Sequence, residues 1–103
     1  MGLFGVLKTN DINIEAADRE DNSVLVDVRE RDEYSAGHIP GAVNYPLSLL
    51  AEADPPWDKS TPIYVYCLAG TRSRRAVGIL QGKEYANVKN IGGISSWRGS
   101  LEK

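Results

Sequence analysis

The sequence contains one cysteine, Cys67, and its place at the end of an apolar run is the first feature that indicates chemistry. The run Ile63–Tyr66 predicts a buried strand, and Arg72–Gln81 has the apolar spacing of a helix. The N–H groups of a loop and of a helix N-terminus lack intrahelical partners, so they stabilise a negative charge placed among them. We therefore expect Cys67 to be substantially thiolate and to act as a nucleophile, with an inert buried thiol as the alternative.

The loop after Cys67 supplies the groups expected to surround its sulfur and to bind a ligand there. Gly70 permits a backbone conformation that a side chain would obstruct, and its small neighbours leave room for amides to face the sulfur. Arg72 offers a charged fork of N–H groups to an anionic ligand, with a plain surface position beside Arg74 and Arg75 as the alternative. The predicted binding loop comprises Leu68, Ala69, Gly70, Thr71 and Arg72.

The composition indicates one globular domain over residues 1–103, with 42% hydrophobic and 25% charged residues. A net charge of -2 without a long basic run disfavours a nucleic-acid or anionic-membrane partner. No run approaches the roughly 20 apolar residues that span a bilayer, and the first residues lack the features of a signal peptide. We therefore expect a cytoplasmic protein. One Cys and one His do not make a disulfide or a metal site, so neither is expected.

Apolar runs alternate with helical patterns along the chain, which is typical of an α/β fold with a parallel sheet. Asp27 marks the end of one buried run, and functional sites form at such strand ends. Beyond the elements around Cys67, strands are predicted at Val24–Val26, Ala42–Asn44 and Val88–Ile91, and helices at Ile14–Arg19 with Asn13 as its cap, at Leu47–Ala53 and around Ser96.

Several segments resemble those of rhodanese domains in order and spacing. The resemblance runs from about Ile12 to Trp97 and implies a rhodanese-like α/β fold, a five-stranded parallel sheet flanked by helices on both faces. It also implies that Cys67 is the residue that carries sulfur. The segments are Asp27-Val28-Arg29, Glu33-Tyr34, Gly37-His38-Ile39-Pro40-Gly41-Ala42, the loop from Cys67 to Arg72, and Gly92-Gly93-Ile94-Ser95-Ser96-Trp97.

The resemblance further implies sulfur transfer, in which Cys67 takes the outer sulfur of a donor as a persulfide and yields it to a thiophilic acceptor. The donor would be thiosulfate or an organic or protein persulfide, and the acceptor cyanide, a thiol or a partner protein. No cofactor is implied. Because Leu68 stands where many thiosulfate-active members have a basic residue, an organic or protein persulfide is the better expected donor.

Asp27 and Arg29 are expected to support the site rather than to react. Asp27 would accept hydrogen bonds from the loop, and Arg29 would pair with Glu33 if that stretch is helical. His38 is expected to fix its own Pro- and Gly-rich loop, with a general base as the alternative.

Three further residues are expected to have structural roles. Trp97 should close the core beside the sheet, and Trp57 should anchor a loop. Glu84 stands where the family often has glycine, so it should adopt a positive backbone angle at a mild cost.

Two functions of other kinds compete with sulfur transfer. Phosphatases and arsenate reductases use a Cys-x5-Arg loop, whereas Cys67 and Arg72 form a Cys-x4-Arg loop, whose shorter ring suits one sulfur atom better than a phosphate. A non-catalytic binding module is the second alternative, because folds persist after their chemistry is lost. A sulfur carrier that serves a partner protein lies between these readings.

Overall fold

Four parallel strands form the sheet within residues 11–103, the part of the chain that the computed structural model describes. The strands are β1 Val24–Asp27, β2 Val43–Asn44, β3 Ile63–Cys67 and β4 Val88–Gly93. The helices are α1 Ile12–Glu15, α2 Arg31–Ala36, α3 Leu47–Leu50 and α4 Thr71–Gly82, and a 3₁₀ turn follows at Ile94–Ser96.

The strand order β2-β1-β3-β4 puts β1 and β3 in the middle of the sheet. The chain proceeds outward from β1 to β2 and, on the other side, from β3 to β4, so the order reverses between β1 and β3. Crevices at such a reversal, beyond the carboxyl ends of the strands, are the usual binding sites of open α/β sheets. Cys67 ends β3 at this edge.

The five-stranded sheet implied by the resemblance is corrected to four strands in the described residues. These four coincide with the four strands predicted from the residue pattern, at Val24–Val26, Ala42–Asn44, Ile63–Tyr66 and Val88–Ile91, so that pattern matches the count within residues 11–103. The α/β class and the parallel pairing are confirmed.

Both faces of the sheet are covered, because consecutive residues of β1 enter different cores. Val26 and Val65 pack in one cluster with Leu80 of α4, and Leu25 and Tyr66 pack in the other. Trp97 packs against this second cluster and Trp57 against the first, where it meets the Tyr45 ring at 5.7 Å between ring centroids. These contacts confirm the expected structural roles of both tryptophans.

The first helix begins at Ile12, two residues before the predicted start, and ends at Glu15, four residues before the predicted Arg19. Asp11 is its cap and accepts a hydrogen bond from the Asn13 backbone N–H at 3.0 Å. The prediction of Asn13 as the cap is wrong, because its side chain binds the C-terminal turn instead. Asn13 donates to the Ser96 carbonyl at 3.0 Å and accepts from the Arg98 N–H at 2.8 Å.

The remaining boundaries differ by a few residues from the predicted ones. Helix α3 ends at Leu50, three residues before the predicted Ala53. After α4, Glu84 has φ 73° and is the non-glycine residue with a positive φ in the described chain, which confirms its expected backbone angle. No helix within residues 11–103 is long and apolar enough to cross a membrane.

Candidate active site

Cys67 lies at the carboxyl end of central strand β3 and is only 1% exposed. The ladder between β3 and β4 is irregular here, shifting register between Val65 and Cys67 so that Cys67 pairs with Gly93. The chain then turns through the loop 67–72 into α4. The predicted strand, loop and helix around the cysteine are therefore all present.

The sulfur of Cys67 receives polar contacts from the loop and from the first turn of α4. The Gly70 N–H donates to Sγ at 3.0 Å and the Ser73 N–H donates at 3.3 Å. The Ser73 hydroxyl lies 3.4 Å from Sγ. Burial acts to raise the pKa of the Cys67 thiol, but hydrogen bonds from Ser73, Gly70 and Ala69 outweigh it, so the net shift of the pKa is downward. The loop therefore favours a thiolate.

Two glycines give the loop its shape. Gly70 has φ 100°, a left-handed conformation that points its N–H at the sulfur and that residues with a side chain rarely adopt. Gly93 lies directly beneath the loop, where an added Cβ would come within 2.6 Å of the Ala69 Cα. The loop therefore rests on bare backbone of β4.

Asn90 of β4 holds the loop and the first turn of α4 through hydrogen bonds. Its Nδ2 donates to the Gly70 carbonyl at 3.2 Å, and its Oδ1 accepts from the Ser73 hydroxyl at 2.8 Å and from the Gly92 N–H at 2.9 Å. Sequence reasoning missed Asn90 and Ser73. The available signal was a polar residue interrupting a strand just before the Gly92-Gly93 pair.

The guanidinium of Arg72 is bound to a carboxylate, so its terminal N–H groups are not directed at an incoming anion. Its Nη1 and Nη2 donate to the two carboxylate oxygens of Glu33 at 2.7 and 3.0 Å. Arg72 lowers the pKa of Glu33 to about 2, so the pair is ionised throughout the neutral range. The prediction that Glu33 pairs with Arg29 is wrong, because α2 begins at Arg31 and turns Glu33 toward the loop.

Asp27 and Arg29 form a buried unit of their own. Arg29 donates to both Asp27 carboxylate oxygens at 2.7 to 3.1 Å, and its Nη2 also donates to the Gly37 carbonyl at 2.8 Å. The Asp27 carboxylate additionally accepts from the Arg29 backbone N–H at 2.9 Å. The expected bonds from the loop to Asp27 are corrected to bonds from Arg29, which fix the turn after β1.

A family model described as the rhodanese-like domain matches residues 13–100. The chain belongs to this family. The thiosulfate sulfurtransferase GlpE of Pseudomonas entomophila is 36% identical over 81 residues, which cover 78% of this chain and 74% of that protein. The putative sulfur carrier protein YrkF of Bacillus subtilis is 31% identical over 97 residues, covering 89% of this chain and 52% of YrkF.

Among solved structures, a rhodanese with anions from E. coli superposes with a TM-score of 0.70 at 35% identity. The match covers 79% of this chain and 98% of that structure. This rhodanese-like domain spans 26% to 63% of the length of three curated relatives, YrkF among them.

The rim of the loop in this rhodanese-like domain is open to solvent and begins with an apolar side chain. Leu68 is 48% exposed, and the neighbouring Ala69 and Thr71 are exposed as well. The Leu68 carbonyl accepts from the Ser95 N–H at 3.1 Å, which holds its backbone in place. The buried sulfur therefore lies behind a rim whose first side chain is a leucine.

His38 has the bonding expected of a residue that fixes its own loop. Its Nδ1 lies 3.0 Å from the Tyr34 carbonyl, and its ring stacks on the Tyr34 ring at 3.8 Å. Its backbone exchanges two hydrogen bonds with Glu102 near the C-terminus. These contacts engage His38 with α2 and the C-terminal residues.

Proposed function

We propose that this chain is a sulfurtransferase in which Cys67 carries sulfane sulfur as a persulfide. The observation that carries the proposal is the buried sulfur that accepts hydrogen bonds from Gly70 and Ser73 N–H groups at 3.0 and 3.3 Å. Oriented amides of this kind stabilise a nucleophilic thiolate before attack and negative charge on sulfur afterwards. The similarity to GlpE, a thiosulfate sulfurtransferase, supports the same reaction class.

The proposed reaction has two balanced steps. In the first, the Cys67 thiolate attacks the outer sulfur of thiosulfate, a new S–S bond forms on Cys67, the donor S–S bond breaks, and sulfite leaves. In the second, cyanide or a thiolate attacks the outer sulfur of the persulfide, which returns Cys67 as thiolate and releases thiocyanate or a new persulfide. Since the chain has one cysteine, the acceptor comes from outside it.

Cys67 must be reduced for the first step, which suits a reducing compartment such as the cytoplasm.

The phosphatase alternative is disfavoured because Arg72, the residue that would clamp a phosphate, is bound to Glu33. Turnover of an aryl phosphate by the wild type would contradict the proposal.

The test is the intact mass of the reduced protein after incubation with thiosulfate and, separately, with glutathione persulfide. Wild type should gain one sulfur, and cyanide should remove it as thiocyanate. Cys67→Ser, which keeps the size of the side chain, should gain none. If folded, reduced wild type gains sulfur from neither donor, the proposal fails and a binding module is the better description.

Delivery to a partner protein is a second candidate, favoured by the likeness to the putative sulfur carrier YrkF and by exposed cations beside the site. Arg74 and Arg75 are exposed in the first turns of α4, directly after Ser73. Replacing both by Glu should weaken transfer to an acidic acceptor protein and leave persulfide formation from small donors intact. Equal transfer by the double variant would contradict delivery through this surface.

A further inference from the structure

We propose that Glu33 and Leu68 select the sulfur donor, so that the site favours a donor with one negative charge and an apolar group over the thiosulfate dianion. This inference rests on the proposed sulfur transfer and names its substrate class. Glu33 neutralises the charge of Arg72 at the end of the loop. Leu68 adds an apolar side chain to the rim.

The pair formed by Glu33 and Arg72 removes the net positive charge from the end of the loop. Both terminal nitrogens of Arg72 are bonded to Glu33, and the two side chains are about one third exposed, which places the pair at the surface of the site. The charge on Cys67 acts on Arg72, so the guanidinium lies within electrostatic reach of the sulfur. An arriving dianion therefore meets a neutral pair at this position.

Glu33 is also held in place by its own helix. Its Oε1 accepts the Glu30 N–H at 2.9 Å, one half of the capping box that begins α2. Moving Glu33 away to free Arg72 would break this bond as well as both bonds to Arg72. A dianionic donor must compete with an anchored carboxylate for the same guanidinium.

Leu68 supplies the attractive half of the selection. It directly follows Cys67, its backbone is fixed by Ser95, and almost half of its surface is open to water. A donor with an apolar group gains free energy by covering this surface, and thiosulfate has no such group. The two features act in the same direction.

Benzenethiosulfonate and thiosulfate are matched probes of this preference. Each gives its outer sulfur to a thiolate, with benzenesulfinate or sulfite as the leaving group. The first carries one charge and a ring, whereas the second carries two charges and no apolar group. The test is a comparison of kcat/KM for the two donors, with cyanide as the common acceptor.

Wild type should prefer benzenethiosulfonate, and Glu33→Gln should raise kcat/KM for thiosulfate about tenfold, the effect of removing one charge about 6 Å from a dianion in a water-like dielectric. The gain for the monoanion should be its square root, about threefold, because the coulombic free energy is proportional to the donor's charge. Glutamine keeps an oxygen for the Glu30 N–H. Asp32→Asn, an exposed neighbour on α2, is the matched loss of one negative charge and should change the donor ratio little.

A second variant keeps the inference testable if Glu33→Gln unfolds. Leu68→Arg adds a cation and removes the apolar surface at an exposed position, so it should shift the donor ratio toward thiosulfate about tenfold or more. Leu49→Arg makes the same replacement at a leucine of α3 that is 42% exposed, and it should leave the donor ratio unchanged.

The outcomes separate the two proposals. If the donor ratio is the same in Glu33→Gln as in Asp32→Asn, or the same in Leu68→Arg as in Leu49→Arg, donor selection by these residues is wrong while sulfur transfer stands. If neither donor loads sulfur onto wild type, both proposals fail.

Discussion

The Ser73 hydroxyl oxygen lies 3.4 Å from the Cys67 sulfur at a position with no exposure to water. The same oxygen lies 2.8 Å from Asn90 Oδ1, which already accepts a hydrogen bond from the Gly92 N–H. One hydroxyl thus has three acceptors within reach, since the Gly92 carbonyl lies 3.5 Å away as well. It can donate to Asn90 while Cys67 is a neutral thiol and turn to Sγ when the thiolate forms.

Replacing Ser73 by Ala should raise the pKa of Cys67 by about one unit, because a hydrogen bond to a charged acceptor contributes roughly 1.5 to 3 kcal/mol and part of it is retained by the amides. The pH dependence of alkylation by a small reagent measures this pKa. Ser95→Ala removes an exposed hydroxyl beside the loop and should leave the pKa unchanged. An unaltered pKa in Ser73→Ala would show that the backbone amides alone stabilise the thiolate.

Gly93→Ala should destabilise the protein by about 1 to 3 kcal/mol and slow sulfur uptake, since the new methyl group would overlap the backbone of the loop at Ala69. Urea unfolding gives the stability change and intact mass gives the rate of uptake. Gly78→Ala in α4 is the matched control, because nothing lies within 4 Å of its added Cβ. It should stabilise the helix by roughly 0.5 to 1 kcal/mol. Equal effects of the two changes would contradict the close packing of β4 on the loop.

The free energy of unfolding should fall in acid, because protonation of Glu33 removes its ion pair with Arg72. The pKa of Glu33 is about 2 when folded and about 4.3 when unfolded, so the unfolded state binds more protons between these values. Stability from the Arg72 pair is therefore complete above about pH 5 and is lost as the pH falls toward 2. Allowing for solvent screening of this partly exposed pair, the loss is about 1 kcal/mol. Urea unfolding at several pH values should show this loss in wild type and in Asp32→Asn, but less of it in Glu33→Gln. Parallel pH curves for wild type and Glu33→Gln would refute the assignment.

Glu84→Gly should stabilise the protein by about 0.5 to 1 kcal/mol, because glycine adopts φ 73° without the steric cost of a side chain, and this gain exceeds its larger entropy loss. Thermal unfolding measures the change. Glu52→Gly, at an exposed residue with an ordinary φ, should instead destabilise the protein slightly. A lower melting temperature for Glu84→Gly would mean that its side chain contributes more than its strain costs.

The parts of the site that sequence predicted are those set by neighbours along the chain. The apolar run before Cys67, the glycine at position 70 and the start of α4 define a local strand, loop and helix, and the structure contains all three. The sequence pattern does not by itself predict helix α2, although Glu30 and Glu33 form a capping box at its start. Charged residues fill the first half of α2, so it lacks the apolar period by which helices are recognised.

The parts that sequence did not predict depend on contacts between distant residues. Arg72 and Glu33 are 39 positions apart, and Ser73 and Asn90 are 17 apart. A spacing of four residues favours Arg29 as the partner of Glu33. In the structure Arg29 instead forms a buried ion pair with Asp27 at the end of β1. Such choices follow from which strand ends lie side by side, which a single sequence does not specify.

Because β4 supports the loop, Cys67 should acquire its lowered pKa only late in biosynthesis. Asn90 and Gly93 follow Cys67 by more than 20 residues, and they hold the loop from the side and from beneath. A nascent chain that has emerged only as far as α4 has the loop sequence but neither support. The thiol of such a chain should lack the lowered pKa of the folded site, and the proposed sulfur transfer should begin only when β4 has docked.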